Sequence, residues 1–256
     1  MTSLGGIVSG EHSVRGKYLG LLQDALLDRT NGRDPMAELA SAGLIWPRHA
    51  PSMVTPGHMA FLRQVCEAMV VEEIPGDFVE CGVWRGGACI MMRAVLASYE
   101  EQHRQVWVCD SFEGLPTPDA RYQRDTRLGL HLQPELRISE DNVRANFERY
   151  GLLDERVHFV RGWFEDTLPA LVASGQVPAI SVLRMDGDHY GSTMHILEAL
   201  YPLVSIGGWI IEDDYLNPGL ADHAKAAVDD YRATHGITAE MIPITWGGAW
   251  RKERSV

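Results

Sequence analysis

Ile180-Ser181-Val182-Leu183-Arg184-Met185-Asp186-Gly187-Asp188-His189-Tyr190 runs from an apolar strand straight into an acidic turn. A second such passage follows at Gly208-Trp209-Ile210-Ile211-Glu212-Asp213-Asp214-Tyr215. Between them, Ser192 to Tyr201 carries Met194, Leu197, Leu200 and Tyr201 at helical spacing. Strand, crossover helix and strand make a βαβ unit, which brings both acidic clusters to the same edge of a parallel sheet. In open α/β sheets that edge, beyond the carboxyl ends of the strands, is where ligands bind. Like charges gathered there call for a positive partner, and a hard divalent cation is the simplest one.

Upstream, the alternation is regular. Asp77 to Cys81 and Val106 to Asp110 read as strands, with a glycine-rich turn and a helix from about Ala88 to Tyr99 between them. Ser139 to Tyr150 reads as a helix with Ser139 as its N-cap; Val157 to Val160 reads as a third strand and Asp166 to Ala173 as a short helix. A helix from about His223 to His235 follows the acidic clusters. The chain then closes with a hairpin of Ala239 to Ile244 and Ala249 to Lys252 around Gly247-Gly248. The expected architecture is a doubly wound, Rossmann-like α/β domain over residues 75–256, with a mostly parallel sheet and a C-terminal antiparallel hairpin. Residues 1–74 form a helical N-terminal extension with helices at Tyr18–Leu27 and Met59–Val71, joined through a connector at Trp46–Pro56. Residues 1–15, small and polar, are expected to be poorly ordered. A polar insertion at about 116–138 is too long for an ordinary βα loop and suits a lid.

Bulk properties narrow the function. The chain has 256 residues, 45% of them hydrophobic, which suffices for a substantial core. A net charge of −12 with no basic stripe argues against nucleic acid. No stretch of ~20 apolar residues is present, so no membrane partner is expected. Four scattered cysteines without a CxxC pair fit buried thiols and a cytoplasmic location. The leucine face at Leu19, Leu22, Leu26 and Leu27 suggests a homo-oligomer.

The turn Glu80-Cys81-Gly82-Val83-Trp84-Arg85-Gly86 lacks the G-x-G-x-x-G spacing of a dinucleotide fingerprint. Its glycines still let the backbone approach a ligand, and Asp110 at the end of the second strand can accept hydrogen bonds from a ribose. Asp110 or Ser111 could equally cap a helix. Turn glycines and an acid fit a nucleoside cofactor without separating NAD from S-adenosylmethionine.

Five segments in order, VECGVWRGGACI (79–90), VWVCDSFEGLP (106–116), NFERYGLLDERVHFVRGWFEDTLP (146–169), LRMDGDHYGSTM (183–194) and IIEDDY (210–215), resemble the macrocin O-methyltransferase family of the TylF/MycF type. The resemblance implies an S-adenosylmethionine- and Mg2+-dependent methyltransferase acting on a sugar hydroxyl of a glycosylated small molecule. It implies Asp186, Asp213 and Asp214 as magnesium ligands and Asp188 as general base, with His189 as the rival base. It further places Glu80 and Gly82 by the methionine part of the cofactor and Asp110 at the ribose, and counts Val83, Trp84, Arg85, Gly86, Ser111 and Asp186 among the cofactor-binding residues. Ser139 and the Gly162-Trp163-Phe164 turn border the adenine. Met53 to Thr55 would cover the site, and Arg121, Arg124 and His131 would meet the acceptor. Glu212, adjacent to Asp213 on a strand, should face away. The alternatives are a catechol-type metal-dependent methyltransferase and an NAD-dependent oxidoreductase.

Overall fold

A computed structural model describes residues 12–30 and 45–254. Seven strands form one sheet: β1 (Asp77–Cys81), β2 (Val106–Asp110), β3 (Val157–Arg161), β4 (Ile180–Met185), β5 (Val204–Glu212), β6 (Ile242–Ile244) and β7 (Gly247–Arg251). Their order is β3-β2-β1-β4-β5-β7-β6. The first five are parallel, β7 runs antiparallel to β5, and β6 antiparallel to β7. The central strands β1 and β4 are buried along their whole length, as a parallel sheet covered on both faces requires.

Among the described residues the α-helices are α1 (Val14–Leu26), α2 (Pro56–Val71), α3 (Gly87–Ser98), α4 (Glu140–Arg149), α5 (Phe164–Ser174), α6 (Tyr190–Leu200) and α7 (Ala224–Thr234). Side chains of α1 to α4 pack on one face of the sheet in a single cluster that includes Leu19, Met59, Ile90 and Phe147. Those of α5 to α7 pack on the other, around Leu168, Leu197 and Val228. Successive strands run outward from β1 in one direction and from β4 in the other. The chain's topological switch point therefore lies between the carboxyl ends of β1 and β4, where a crevice must open.

Three expectations change. Residues 1–11 lie outside the described residues, but Val14 and Arg15 of the stretch expected to be poorly ordered already belong to α1, which Ser13 caps by accepting from Gly16 N–H. The leucine face of α1 is buried within the chain, with Leu19 and Leu26 fully inaccessible, so it offers nothing to a second subunit. The hairpin bends at Thr245-Trp246, with Thr245 at φ +48°, while Gly247 and Gly248 belong to β7.

Candidate active site

At the switch point, Gly82 directly follows β1 at φ +85°, and a Cβ there would lie 1.9 Å from the Asp186 carbonyl oxygen. Asp186 N–H in turn donates to Cys81 O at 2.8 Å. Only glycine allows the two strand ends to meet so closely. Above this junction lies a cavity of about 450 Å³, of the size that small-molecule sites occupy. Gly82, Trp84, Asp110, Ser111, Gly162, Trp163, Phe164, Asp186, Asp188, His189, Asp213 and Asp214 all line it. Met53, Val54, Thr55 and His58 from the N-terminal part close one side, and residues from the 116–138 loop close another.

Asp110 accepts Val83 N–H through Oδ2 at 2.8 Å and Phe112 N–H through Oδ1 at 2.7 Å. Burial raises its pKa and those amides oppose the rise. No helix follows β2 directly, so neither Asp110 nor Ser111 is a helix cap.

Five positions expected at the cofactor do not line the cavity. Glu80 is 1% exposed inside the sheet layer, where its Oε2 accepts from Cys89 Sγ at 2.7 Å and its Oε1 pairs with Arg184. Val83 points into the core. Arg85 turns away to the N-terminal segment: Nη1 donates to the carbonyls of Pro47, Arg48 and Ala50 at 3.0, 3.2 and 3.0 Å. Gly86 is the left-handed residue that opens α3 against Val143. Ser139 caps α4, accepting from Asn142 N at 3.3 Å and from its Nδ2 at 3.0 Å. In the loop, Arg121 is committed to Asp119 and Glu165, Arg124 lies over Tyr190, and neither they nor His131 reach the cavity wall.

The acidic edge has an internal cation that the sequence reading passed over. Arg184, 4% exposed, pairs through Nη1 with Glu80 and with Asp186 Oδ2 at 3.1 Å, and through Nη2 with Asp213 Oδ1 at 2.5 Å. His58 Nδ1 adds a 3.5 Å contact to the same Asp213 oxygen. Burial works against the charge on Asp213, but Arg184 and His58 hold its carboxyl below the usual range. One guanidinium does not neutralise the rest. Asp186, Asp188 and Asp214 each bring a carboxylate oxygen within 4.8 Å of the other two. Burial, then Asp213, pushes Asp186 well up; burial, then Asp214, does the same to Asp188; Asp214 is pushed up to about 6 by burial and Asp213. Those elevated values register burial first and the mutual repulsion of the carboxylates second, and protons or a cation would relieve both. A hard cation with oxygen ligands fits this donor set.

Glu212 lies outside the cavity wall, as strand alternation suggests, yet stays in the cluster's field. Burial, then the charges of Asp214, Asp213 and Asp188, drives its carboxyl well above the normal range. Asp188 itself sits at φ +55°, bracketed by a hydrogen bond from His189 N to Gly187 O at 2.6 Å. A three-residue turn of this hand costs roughly 1–3 kcal/mol in a non-glycine residue and persists only where neighbours impose it. His189 is 2% exposed, and burial lowers its pKa, so its ring is neutral near pH 7.

Comparison with known proteins decides what this edge belongs to. The macrocin-O-methyltransferase (TylF) family model matches residues 15–252. The chain belongs to that family. It is an S-adenosylmethionine-dependent O-methyltransferase, which removes the NAD-dependent alternative. It is 44% identical over 220 residues to demethyldecarbamoylnovobiocin O-methyltransferase of Streptomyces niveus, covering 85% of this chain and 81% of that one. It is 43% identical over 222 residues to a Streptomyces olivaceus enzyme, 8-demethyl-8-(2,3-dimethoxy-alpha-L-rhamnosyl)-tetracenomycin-C 4'-O-methyltransferase, covering 85% and 82%. The solved structure of the O-methyltransferase NovP superposes with a TM-score of 0.86 at 41% identity, covering 94% of this chain and all of that one. Among the described residues no helix is long and apolar enough to cross a membrane, and all four cysteines are free and buried.

Three contributors escaped the sequence reading: Arg184 as internal counter-ion, His58 against Asp213, and Asp125 of the 116–138 loop. The first had a visible signal, since Glu80 and Arg184 are neighbours in register on adjacent buried strands and demand one another.

Proposed function

We propose that the enzyme methylates a deoxysugar hydroxyl of a glycosylated natural product, with a magnesium ion held by Asp186, Asp213 and Asp214 and Asp188 as general base. The carrying observation is the convergence of Asp186, Asp188 and Asp214 on one cavity that also reaches the Gly82 turn and Asp110. Donor and acceptor would meet there. Asp186 and Asp214 belong, with Asp188, to the group of carboxylates close enough to share an ion; Asp213 lies outside that group with Oδ1 committed to Arg184 and His58, and would contribute through Oδ2. Held at these acids, magnesium would supply Lewis-acid polarisation of the acceptor hydroxyl and make its proton easier to remove.

The chain's own residues do the rest. Gly82, Asp110 and the Gly162-Trp163 turn hold the S-adenosylmethionine, and the apolar walls contributed by Trp46, Met53, Leu130 and Trp246 receive the aglycone and exclude water. When bound there, S-adenosylmethionine would supply the methyl group, its S–C bond breaking as the acceptor's O–C bond forms and S-adenosylhomocysteine leaving. The hydroxyl proton passes to the Asp188 carboxylate.

The test is mass spectrometry of separate incubations with demethyldecarbamoylnovobiocin and the dimethoxyrhamnosyl tetracenomycin, the acceptors named for the two relatives, in S-adenosylmethionine and Mg2+. Gain of one methyl on the sugar of either supports the reading. Methylation of a simple catechol and of neither glycoside would replace it with the catechol-type reaction.

A further inference from the structure

Asp125 sits in the middle of a polar loop, yet it is only 2% exposed. Its Oδ1 accepts Tyr190 N–H at 2.7 Å and its Oδ2 accepts Gly191 N–H at 3.0 Å. His223 Nδ1 lies 3.0 Å from the same Oδ1. Those two amides belong to the first turn of α6, whose donors have no partner within the helix. The residue at the N-cap position, His189, supplies no side-chain cap. The cap is delivered instead from 65 residues upstream.

The loop grips that turn from a second side. The Tyr122 ring lies over Gly191, where a Cβ would come within 2.5 Å of it. Tyr122 also packs 5.7 Å from the Tyr190 ring, and its Oη lies 3.5 Å from His195 Nε2.

Immediately before this helix is the strained turn at Asp188. Its upstream end is fastened to β1 through Asp186 N and Cys81 O. Its downstream end is the helix start that Asp125 and Tyr122 hold. We propose that Asp125 is a positioning residue for Asp188: seated against α6, the loop fixes the turn that aims the Asp188 carboxylate at Asp186 and Asp214. The acid cluster then takes up its reactive arrangement only with the loop in place. This rests on the reading of Asp188 as base.

Asp125→Ala and Asp125→Asn in the full chain test it, with Gly191→Ala as an independent variant that displaces Tyr122 and leaves Asp125 intact. Loss of the cap should speed amide exchange across residues 186–192 by about tenfold, with the central strands unchanged. S-adenosylhomocysteine affinity, read by calorimetry, should stay within about threefold, because no contact to that subsite is lost. Turnover of whichever glycoside proves active should fall about 100-fold in kcat with little change in KM, as a misplaced reacting group predicts. Asp125→Asn, which keeps one acceptor, should fall between the parent and Asp125→Ala.

Unchanged exchange over residues 186–192 in Asp125→Ala would overturn the proposal, as would a kcat loss that merely follows cofactor affinity and melting temperature. The exchange measurement needs no acceptor, so it decides the matter even if neither glycoside is a substrate. An active Asp188→Asn enzyme would instead overturn the base assignment.

Discussion

Arg184 Nη2 lies 2.5 Å from Asp213 Oδ1, inside a site that reads from the sequence as purely acidic. The same guanidinium touches Glu80 on β1 and Asp186 at the end of β4. Arg184→Met should therefore strand the buried Glu80 carboxylate and leave the partly exposed Asp186 and Asp213 without their counter-ion. Removing one partner of a buried ion pair costs about 3–5 kcal/mol, and urea unfolding should show a loss of that order. Arg184→Lys should lose less, because it keeps the charge while giving up the forked geometry.

The division of labour among the acids is separable by substitution. Asp188→Asn should retain Mn2+ binding by calorimetry and lose about 10²–10⁴-fold in kcat, the range that general bases contribute. Asp214→Asn should lose the metal as well. Because Asp188 lies within 4.8 Å of both Asp186 and Asp214 in carboxylate distance, Mn2+ binding abolished in Asp188→Asn would make it a ligand instead.

Acid pH should weaken metal binding. Asp214 is raised to about 6, and burial and the neighbouring carboxylates hold Asp186 and Asp188 well above the ordinary carboxyl value too. A carboxyl raised on folding favours the fold while it keeps its proton, below its unfolded value, and withdraws that contribution as pH climbs through the folded value. Magnesium takes the deprotonated ligands, so it should offset this loss on the alkaline side. The rise in melting temperature caused by Mg2+ should be small at about pH 5 and grow through pH 6 and above. A pH-independent increment would contradict the cluster's electrostatics.

Gly82→Ala should not be tolerated. Its Cβ would fall on the backbone carbonyl of Asp186, which cannot swing aside as a flexible side chain would. Loss of S-adenosylhomocysteine binding, with a lowered melting temperature, is the expected outcome; retained binding would show that β1 and β4 can separate at their ends.

The strands and both acidic turns were legible because apolar runs with charged ends carry a local pattern that burial preserves. Strand alternation also put Glu212 on the opposite side from Asp213, and the cavity wall contains Asp213 alone. What escaped depended on contacts distant in sequence. Asp125 is one polar residue among many in its loop, and only the three-dimensional approach of α6 makes it a cap. Arg85 sits in a glycine-rich turn that looks devoted to a ligand, yet its side chain reaches carbonyls more than thirty residues back. Gly247-Gly248 looks like a hairpin turn. Those glycines are instead needed in β7, where a Cβ at Gly247 would meet His58 and the carbonyls of Glu212 and Asp213.

Arg85 holds the 47–50 segment entirely by main-chain oxygens. Such a fastening is indifferent to side-chain identity. Nearby Trp46, Met53 and Val54 face the cavity. They can therefore be exchanged without loosening the attachment of the segment that carries them. The methyl-transfer machinery and the acceptor wall are in that sense modular, and refitting the enzyme to a new glycoside should begin with those three positions while Arg85 is left untouched.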